Sequence, residues 1–401
     1  MVGDGMGTAY TTGYRYMVDN PATKEVEPTV FDSLLVGGAR TYPDDDTVVT
    51  DSAASATALA TGTKSYNGAI GVDHEQHHLP TMLEEAKKKG WQTALVVTSQ
   101  INHATPASFM SHAKNRKMYN EIADQYLDQR INGKPKADLM LGGGTDYFIR
   151  EDRNLVDGFK KLGYSYVDSL ESLQQQNSLP LLGLFGESGM TSALDAEDPL
   201  RLKHMTQKAL QLLTKSDKPF FLLIEGSQID WCGHANDVAC AMAEMNDFGE
   251  TMKIVKAFAQ KHGDTLVVAT ADHNTGGLSL GANKVYQWET QKIAKIKATI
   301  AKMTKEFAKA KDINQAINKW IGFELAKDDI EEIVEAKKSG DEEDLYEAIG
   351  DAIDKATYTG WTTGGHTADD VQVFATGPGR DAFIGHQNNT EIADKLFKHI
   401  K

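Results

Sequence analysis

Short buried apolar runs that stop on acids and histidines constrain this chain more than any other feature. Phe220–Ile224 runs into Glu225-Gly226, and Thr265–Thr270 runs into Ala271-Asp272-His273. Ala94–Thr98 is followed closely by His103 and Thr105, and Val371–Ala375 follows Gly365-His366. Apolar runs of this length, alternating with helix-like segments, read as strands of a parallel or mostly parallel sheet with helices on both faces. Val48-Val49 reads as a further strand. It turns at Thr50-Asp51-Ser52 into a helix of small residues, Ala53–Ala60, closed by Gly62. Met82–Lys89 reads as a helix stopped by Gly90. Open α/β sheets bind ligands at the carboxyl ends of their strands, and Glu225 and Asp272-His273 fall at such ends.

Two stretches break this rhythm. Residues 147–200 carry no clear period and read as a loop-rich insertion. Residues 291–356 are rich in Lys, Glu and Ala. There Ile293, Ile296, Ile300, Met303 and Phe307 recur at helical spacing, as do Leu345, Ile349 and Ile353. This second stretch reads as a helical insertion docked on the α/β body. A length of 401 residues suits either two or three domains or one large domain with insertions. The expectation is one large α/β domain over residues 1–401, a central sheet between helices.

With 40% hydrophobic and 25% charged residues, wholesale disorder is excluded. No apolar run approaches the roughly 18–20 residues that cross a bilayer as a helix. The net charge of −15 repels phosphate backbones and argues against a dedicated nucleic-acid binder. An anionic substrate would therefore need a locally positive site, which metal ions supply directly. Cys232 and Cys240 fall in a segment that reads as one helix. Two turns would hold them about 12 Å apart, too far for a disulfide.

Several residues carry possible chemistry. Asp230 and His234 stand at i and i+4 on one helix face, a carboxylate–imidazole pair suited to zinc. Asp272-His273 offers the same pair at a strand end. Carboxylates with a threonine hydroxyl suit magnesium. The inventory would fill two zinc sites and one magnesium site, with Asp4 able to bridge. Each feature also has a plainer reading. Asp-x-x-x-His is commonly a surface pair, Ser52 could serve only as a helix N-cap, and Gly3-Asp4-Gly5-Met6-Gly7 could be a simple turn.

Their order along the chain resembles the alkaline phosphatase family. The matching segments are Val2–Gly7, Thr50–Ala58, His103–Ala107, Glu225–His234, Thr270–His273 and Gly364–Thr367. The resemblance implies that Ser52 is the nucleophile and becomes a phosphoserine. It implies a first zinc on Asp230, His234 and His366, and a second on Asp4, Asp272 and His273 beside the Ser52 oxygen. Magnesium would lie on Asp4, Thr105 and Glu225, with His103 close by. Arg116 would clamp phosphate, oriented by Asp51. The substrates would be small phosphate monoesters over a broad range, with inorganic phosphate as product. The chemistry agrees. A serine hydroxyl is a weak nucleophile that cations activate, and transferring phosphoryl oxygens call for positive charge.

Departures from the family pattern shape further expectations. His103 stands where some members carry aspartate, so magnesium would be held more weakly. Trp231 stands where others have lysine or histidine, which would ease product release. Cys232 is expected to pack rather than to ligate zinc. Only Met1 and Val2 precede Gly3, so the first strand would be a stub. Residues of a natural precursor, including any secretion signal, are expected to be missing. The resemblance implies a periplasmic or secreted protein, as a monomer or homodimer. A sulfatase is disfavoured, because the segment after Ser52 has no Cys/Ser-x-Pro-x-Arg pattern.

Overall fold

A computed structural model describes residues 1–400. The chain forms ten principal strands: β1 (Val2–Gly3), β2 (Leu35–Arg40), β3 (Gln92–Gln100), β4 (Leu139–Gly143), β5 (Ser165–Val167), β6 (Leu181–Leu184), β7 (Phe220–Gly226), β8 (Val267–Ala271), β9 (Val371–Thr376) and β10 (Gly385–Asn388). Among the described residues they make one ten-stranded sheet in the order β10-β2-β9-β8-β1-β7-β3-β4-β6-β5. All neighbours run parallel except β9, which is antiparallel to both β8 and β2. Helices cover the sheet, as the alternation of runs requires.

The register explains why distant residues meet. Val2 lies between Glu225 and Thr270, and Gly3 between Gly226 and Ala271. On the far side of β7, Val97 pairs with Glu225. Asp4 and Asp272 therefore leave the sheet at one level, just beyond Glu225, which is level with Val2. Because β9 runs the other way, the residues before it arrive at the edge where its neighbours depart. A short antiparallel ladder completes the approach, pairing Thr275 with His366 and Asn274 with Thr367.

Helix α1 (Ser52–Thr61) is buried along nearly its whole length. Its alanines make that possible, since a helix without bulk can be enclosed on every side. Asp51 caps it by accepting from Ala54 N, and Gly62 ends it at φ 77°. Helix α2 (Ala104–Met110) packs against it. Helix α3 (Gln228–His234) and the long α4 (Val238–His262) follow β7. The stretch 291–356 is helical as expected. It includes α5 (Ile300–Lys309), α6 (Ile313–Trp320), α7 (Lys327–Ser339) and α8 (Glu342–Thr357). The expected apolar face is the buried one, with Ile293, Ile296, Ile300, Met303, Phe307, Leu345, Ile349 and Ile353 all in the core.

Two sequence expectations fail and one is incomplete. Residues 147–200 are rich in loops, with no helix or strand over residues 185–200, but they also contribute β5 and β6 to the sheet, together with helices Leu155–Lys161 and Leu170–Gln174. Strand β6 is four buried residues, Leu-Leu-Gly-Leu, too short to display a period. Val48-Val49 forms no strand. Val48 is 67% exposed, and Asn67 holds the segment by donating to the Val49 carbonyl and accepting from Asp51 N. Finally, Cys232 and Cys240 are joined in a disulfide, with their Cα atoms 5.5 Å apart. The segment is not one helix. It breaks after His234, Asn236 takes φ 47°, and Asp237 caps a new helix, which folds the two cysteines together and leaves neither thiol for a metal.

Candidate active site

The departing ends of β1, β7 and β8 deliver four carboxylates into one enclosed space. Asp4, Glu225 and Asp272 have no exposure, and Asp230, one turn into α3, has almost none. His273 follows Asp272, His234 closes α3, and His366 comes in from the short ladder. Their reactive atoms converge. His273 Nε2 lies 3.2 Å from Asp272 Oδ2 and 3.4 Å from Asp4 Oδ1. Asp230 lies 3.4 Å from His234 Nε2 and 3.5 Å from His366 Nε2. The two latter nitrogens are 3.1 Å apart.

Ser52 Oγ sits 3.1 Å from His273 Nε2. The helix cap is Asp51, not Ser52, so the serine hydroxyl is not spent on the helix end. Asp51 serves twice, taking Ala54 N on one oxygen and Arg116 Nη1, at 3.1 Å, on the other. Arg116 Nη2 also faces His103 Nε2 at 3.2 Å. The Trp231 ring meets His103 edge-on, centroids 5.9 Å apart. It packs against Gly189, where a β-carbon would fall 2.5 Å from the ring. Thr105 lies on the first turn of α2, fully buried.

The electrostatics of this space are unbalanced. Among the described residues, Asp4, Glu225, Asp230 and Asp272 form no ion pair with lysine or arginine; imidazoles are the partners of three of them. Burial and then the charges of Asp272, Asp230 and Glu225 hold the Asp4 carboxyl well above its ordinary range. Burial likewise pushes Glu225 up to about 8. Burial acts to raise Asp230 too, but the hydrogen bond from His234 and the nearby imidazoles hold it below the usual carboxylate range. Its hydrogen bond to Asp230 lifts His234 to about 8. Burial, with Arg116 alongside, lowers His103 to about 3.

Both oxygens of Asp4, Oε1 of Glu225, Oδ2 of Asp272, Oγ1 of Thr105 and Nδ1 of His103 are buried without a hydrogen-bond partner among the described residues. Such atoms are costly unless something binds them. Donor atoms gather in three groups: Asp230, His273 and His366; Asp4, Asp272 and His273; and Asp4, His103 and Glu225. Asp4 belongs to two of these groups. Mixed imidazole and carboxylate donors suit zinc, and the oxygen-rich group suits a harder cation. The residues present therefore fit divalent metal ions.

Sequence reasoning missed Thr275, Ser227 and Asn67. Thr275 Oγ1 touches both Asp230 and His273. Ser227 donates to Glu225 Oε2 at 2.7 Å. All three are polar residues whose part appears only once the chain is folded; Thr275 and Ser227 stand close to the acids in sequence, whereas Asn67 lies 16 residues from Asp51 and gave no signal.

A sequence model of the alkaline phosphatase family matches residues 1–401. Alkaline phosphatase 3 of Bacillus subtilis is 48% identical over 406 aligned residues, spanning 100% of this chain and 88% of that protein. The crystal structure of a cold-active alkaline phosphatase from a psychrophilic Shewanella superposes with a TM-score of 0.95 at 47% identity, covering 100% of this chain and 98% of that one. A histidine-to-glutamate variant of the alkaline phosphatase from the Antarctic bacterium TAB5, described with Mg bound in its M3 site, superposes with a TM-score of 0.72 at 29% identity, covering 99% and 95%.

Proposed function

The chain belongs to the alkaline phosphatase family, and on that premise we propose that it hydrolyses small phosphate monoesters through a phosphoserine on Ser52. The observation that carries the reading is the set of buried, unpartnered oxygens around the Ser52 hydroxyl, which faces His273 Nε2. Two zinc ions would be held by Asp230, His234 and His366 and by Asp4, Asp272 and His273. One magnesium ion would be held by Asp4, Thr105 and Glu225. When bound, these ions would supply positive charge at the reacting oxygens.

The protein's own groups do the rest. Arg116, held by Asp51, takes two phosphate oxygens in its guanidinium fork. The first turn of α1 turns its N–H groups and positive dipole end toward the same anion. Ser52 Oγ forms a bond to phosphorus as the ester P–O bond breaks, releasing the alcohol. The serine proton passes to solvent. Water then breaks the Ser52–phosphate bond and releases inorganic phosphate. An acidic surface thus surrounds a site built to accept anions, and because the site grips only the phosphoryl group, the substrate range is broad.

His103 offers the third site a neutral nitrogen in place of a carboxylate, so magnesium binds there more weakly than it would to aspartate. Trp231 gives phosphate no cationic contact, which favours release. The insertion is fastened next to the site, through Tyr346 Oη to the Ala235 carbonyl and Ile300 N to Asp237. We assign it the shaping of the entrance, with Trp320, Tyr346 and Tyr358 as the residues to test. The disulfide supports a periplasmic or secreted location. No helix among the described residues is long and apolar enough to cross a membrane.

Quenching a phosphate-loaded sample at low pH should leave phosphate covalently on Ser52. Label on any other residue, or none, would overturn the mechanism. A monoester should be turned over faster than a diester or a sulfate ester, and the reverse order would defeat the substrate assignment.

A further inference from the structure

Three imidazoles of the site turn Nε2 inward, and each is fixed through its other nitrogen. His234 Nδ1 donates to the Gly364 carbonyl at 2.7 Å, and His366 Nδ1 to the Thr50 carbonyl at 2.8 Å. His273 is different. Its Nδ1 faces the Thr275 hydroxyl at 3.2 Å, and the same hydroxyl donates to Asp230 Oδ1 at 2.5 Å. A carbonyl can only accept, whereas a hydroxyl accepts from one neighbour while donating to another. With its single proton on Asp230, Thr275 Oγ1 must accept from His273. That puts the ring proton on Nδ1 and leaves the Nε2 lone pair facing Ser52 Oγ, Asp272 and Asp4.

The hydroxyl is placed by its surroundings. Tyr10 Oη donates to the Thr275 carbonyl at 2.7 Å, and Thr275 N donates to the Gly5 carbonyl at 3.1 Å. Two glycines leave the space it needs. A β-carbon on Gly5 would fall 2.6 Å from Thr275 Oγ1, and one on Gly233 would fall 3.0 Å from Thr275 Cβ. Thr275 is fully buried, so water does not compete for either bond.

We infer that Thr275 is a positioning residue that couples the two zinc sites, its one hydroxyl orienting the imidazole of one and the carboxylate of the other. The inference rests on the ligand sets proposed above. Outer partners of metal ligands typically change affinity by about 10–100-fold when removed. Here one substitution should weaken both sites together.

The test is zinc affinity, measured on purified holoenzyme by competition with a chelating dye. Thr275→Val, which keeps the shape and removes the hydroxyl, should bind zinc about 10–100-fold more weakly at both sites. Thr275→Ser should stay within about threefold of the parent on the same scale. If the valine variant does not fold, Thr275→Ala gives the same readout. Parent-like affinity in the variants lacking the hydroxyl overturns the inference, and so does a loss confined to one site. A loss shared equally by Thr275→Ser overturns it too, as does a lower melting temperature of the metal-free variant with zinc affinity unchanged. A parent protein without bound zinc would overturn the ligand sets as well, which separates the two failures.

Discussion

Two regions of this molecule bury carboxylates, and they treat them in opposite ways. Between the Arg201–Leu213 helix and α4, Glu244 and Asp247 are enclosed around Arg201. Arg201 Nη2 reaches Glu244 at 2.7 Å and Nη1 reaches Asp247 at 3.2 Å. Backbone N–H groups of Ala193, Leu202 and Lys203 take further positions on the two acids. At the carboxyl edge of the sheet, four acids gather and several of their oxygens have no partner. Burial alone is therefore no sign of function. Acids paired with a buried guanidinium hold the fold, whereas acids buried without a lysine or arginine partner are the ones that suit a metal ion.

The largest effect should come from breaking the paired region. Arg201→Met strands two buried acids, which typically costs about 3–5 kcal/mol. Denaturant unfolding should show that loss, while the folded fraction keeps its metal content. If metal is lost instead, the two regions are not independent. Next, the same acid-to-amide change should act in opposite directions. Glu244→Gln should lower the melting temperature of the metal-free protein. Glu225→Gln relieves repulsion among neighbouring acids and should raise it. Metal uptake reverses the order, retained in Glu244→Gln and reduced in Glu225→Gln. Equal responses would erase the distinction.

Smaller effects sharpen it. Trp231→Lys adds a cation beside the phosphate position, and inorganic phosphate should inhibit about fivefold more strongly. Smallest is a pH effect away from the site. Burial pushes the Asp354 carboxyl up to about 8, against a lowering hydrogen bond from Trp361. A group that binds its proton more tightly when folded stabilises the fold below its unfolded pKa, and that contribution disappears as pH rises toward 8. Asp354→Asn should match the parent near pH 4 and exceed it by about 1–2 °C at pH 9 in a thermal melt.

Much of this was legible in the sequence, for physical reasons. Strands β3, β7, β8 and β9 carry the site or flank it, and each is a buried apolar run long enough to be seen. The acids and histidines that end them could be found because few other uses explain such residues at strand ends. Small elements escaped. Leu181–Leu184 is too brief to show a period, and the break at Asn236 hid inside a segment that otherwise reads as continuous helix, which is why the disulfide was misread. Thr275 escaped for another reason: a hydroxyl announces nothing until the fold places a donor on one side and an acceptor on the other.

The reversed direction of β9 has a consequence for assembly in time. His366 and Asp4 are far apart in sequence, and β1 pairs only with β7 and β8, whose residues follow long after. A polypeptide emerging from the ribosome can form helices early, but the proposed centre must wait for the segments carrying Asp4 and His366 to meet. On the ligand sets proposed above, a nascent chain that stops short of His366 would lack one of the groups that hold the first zinc.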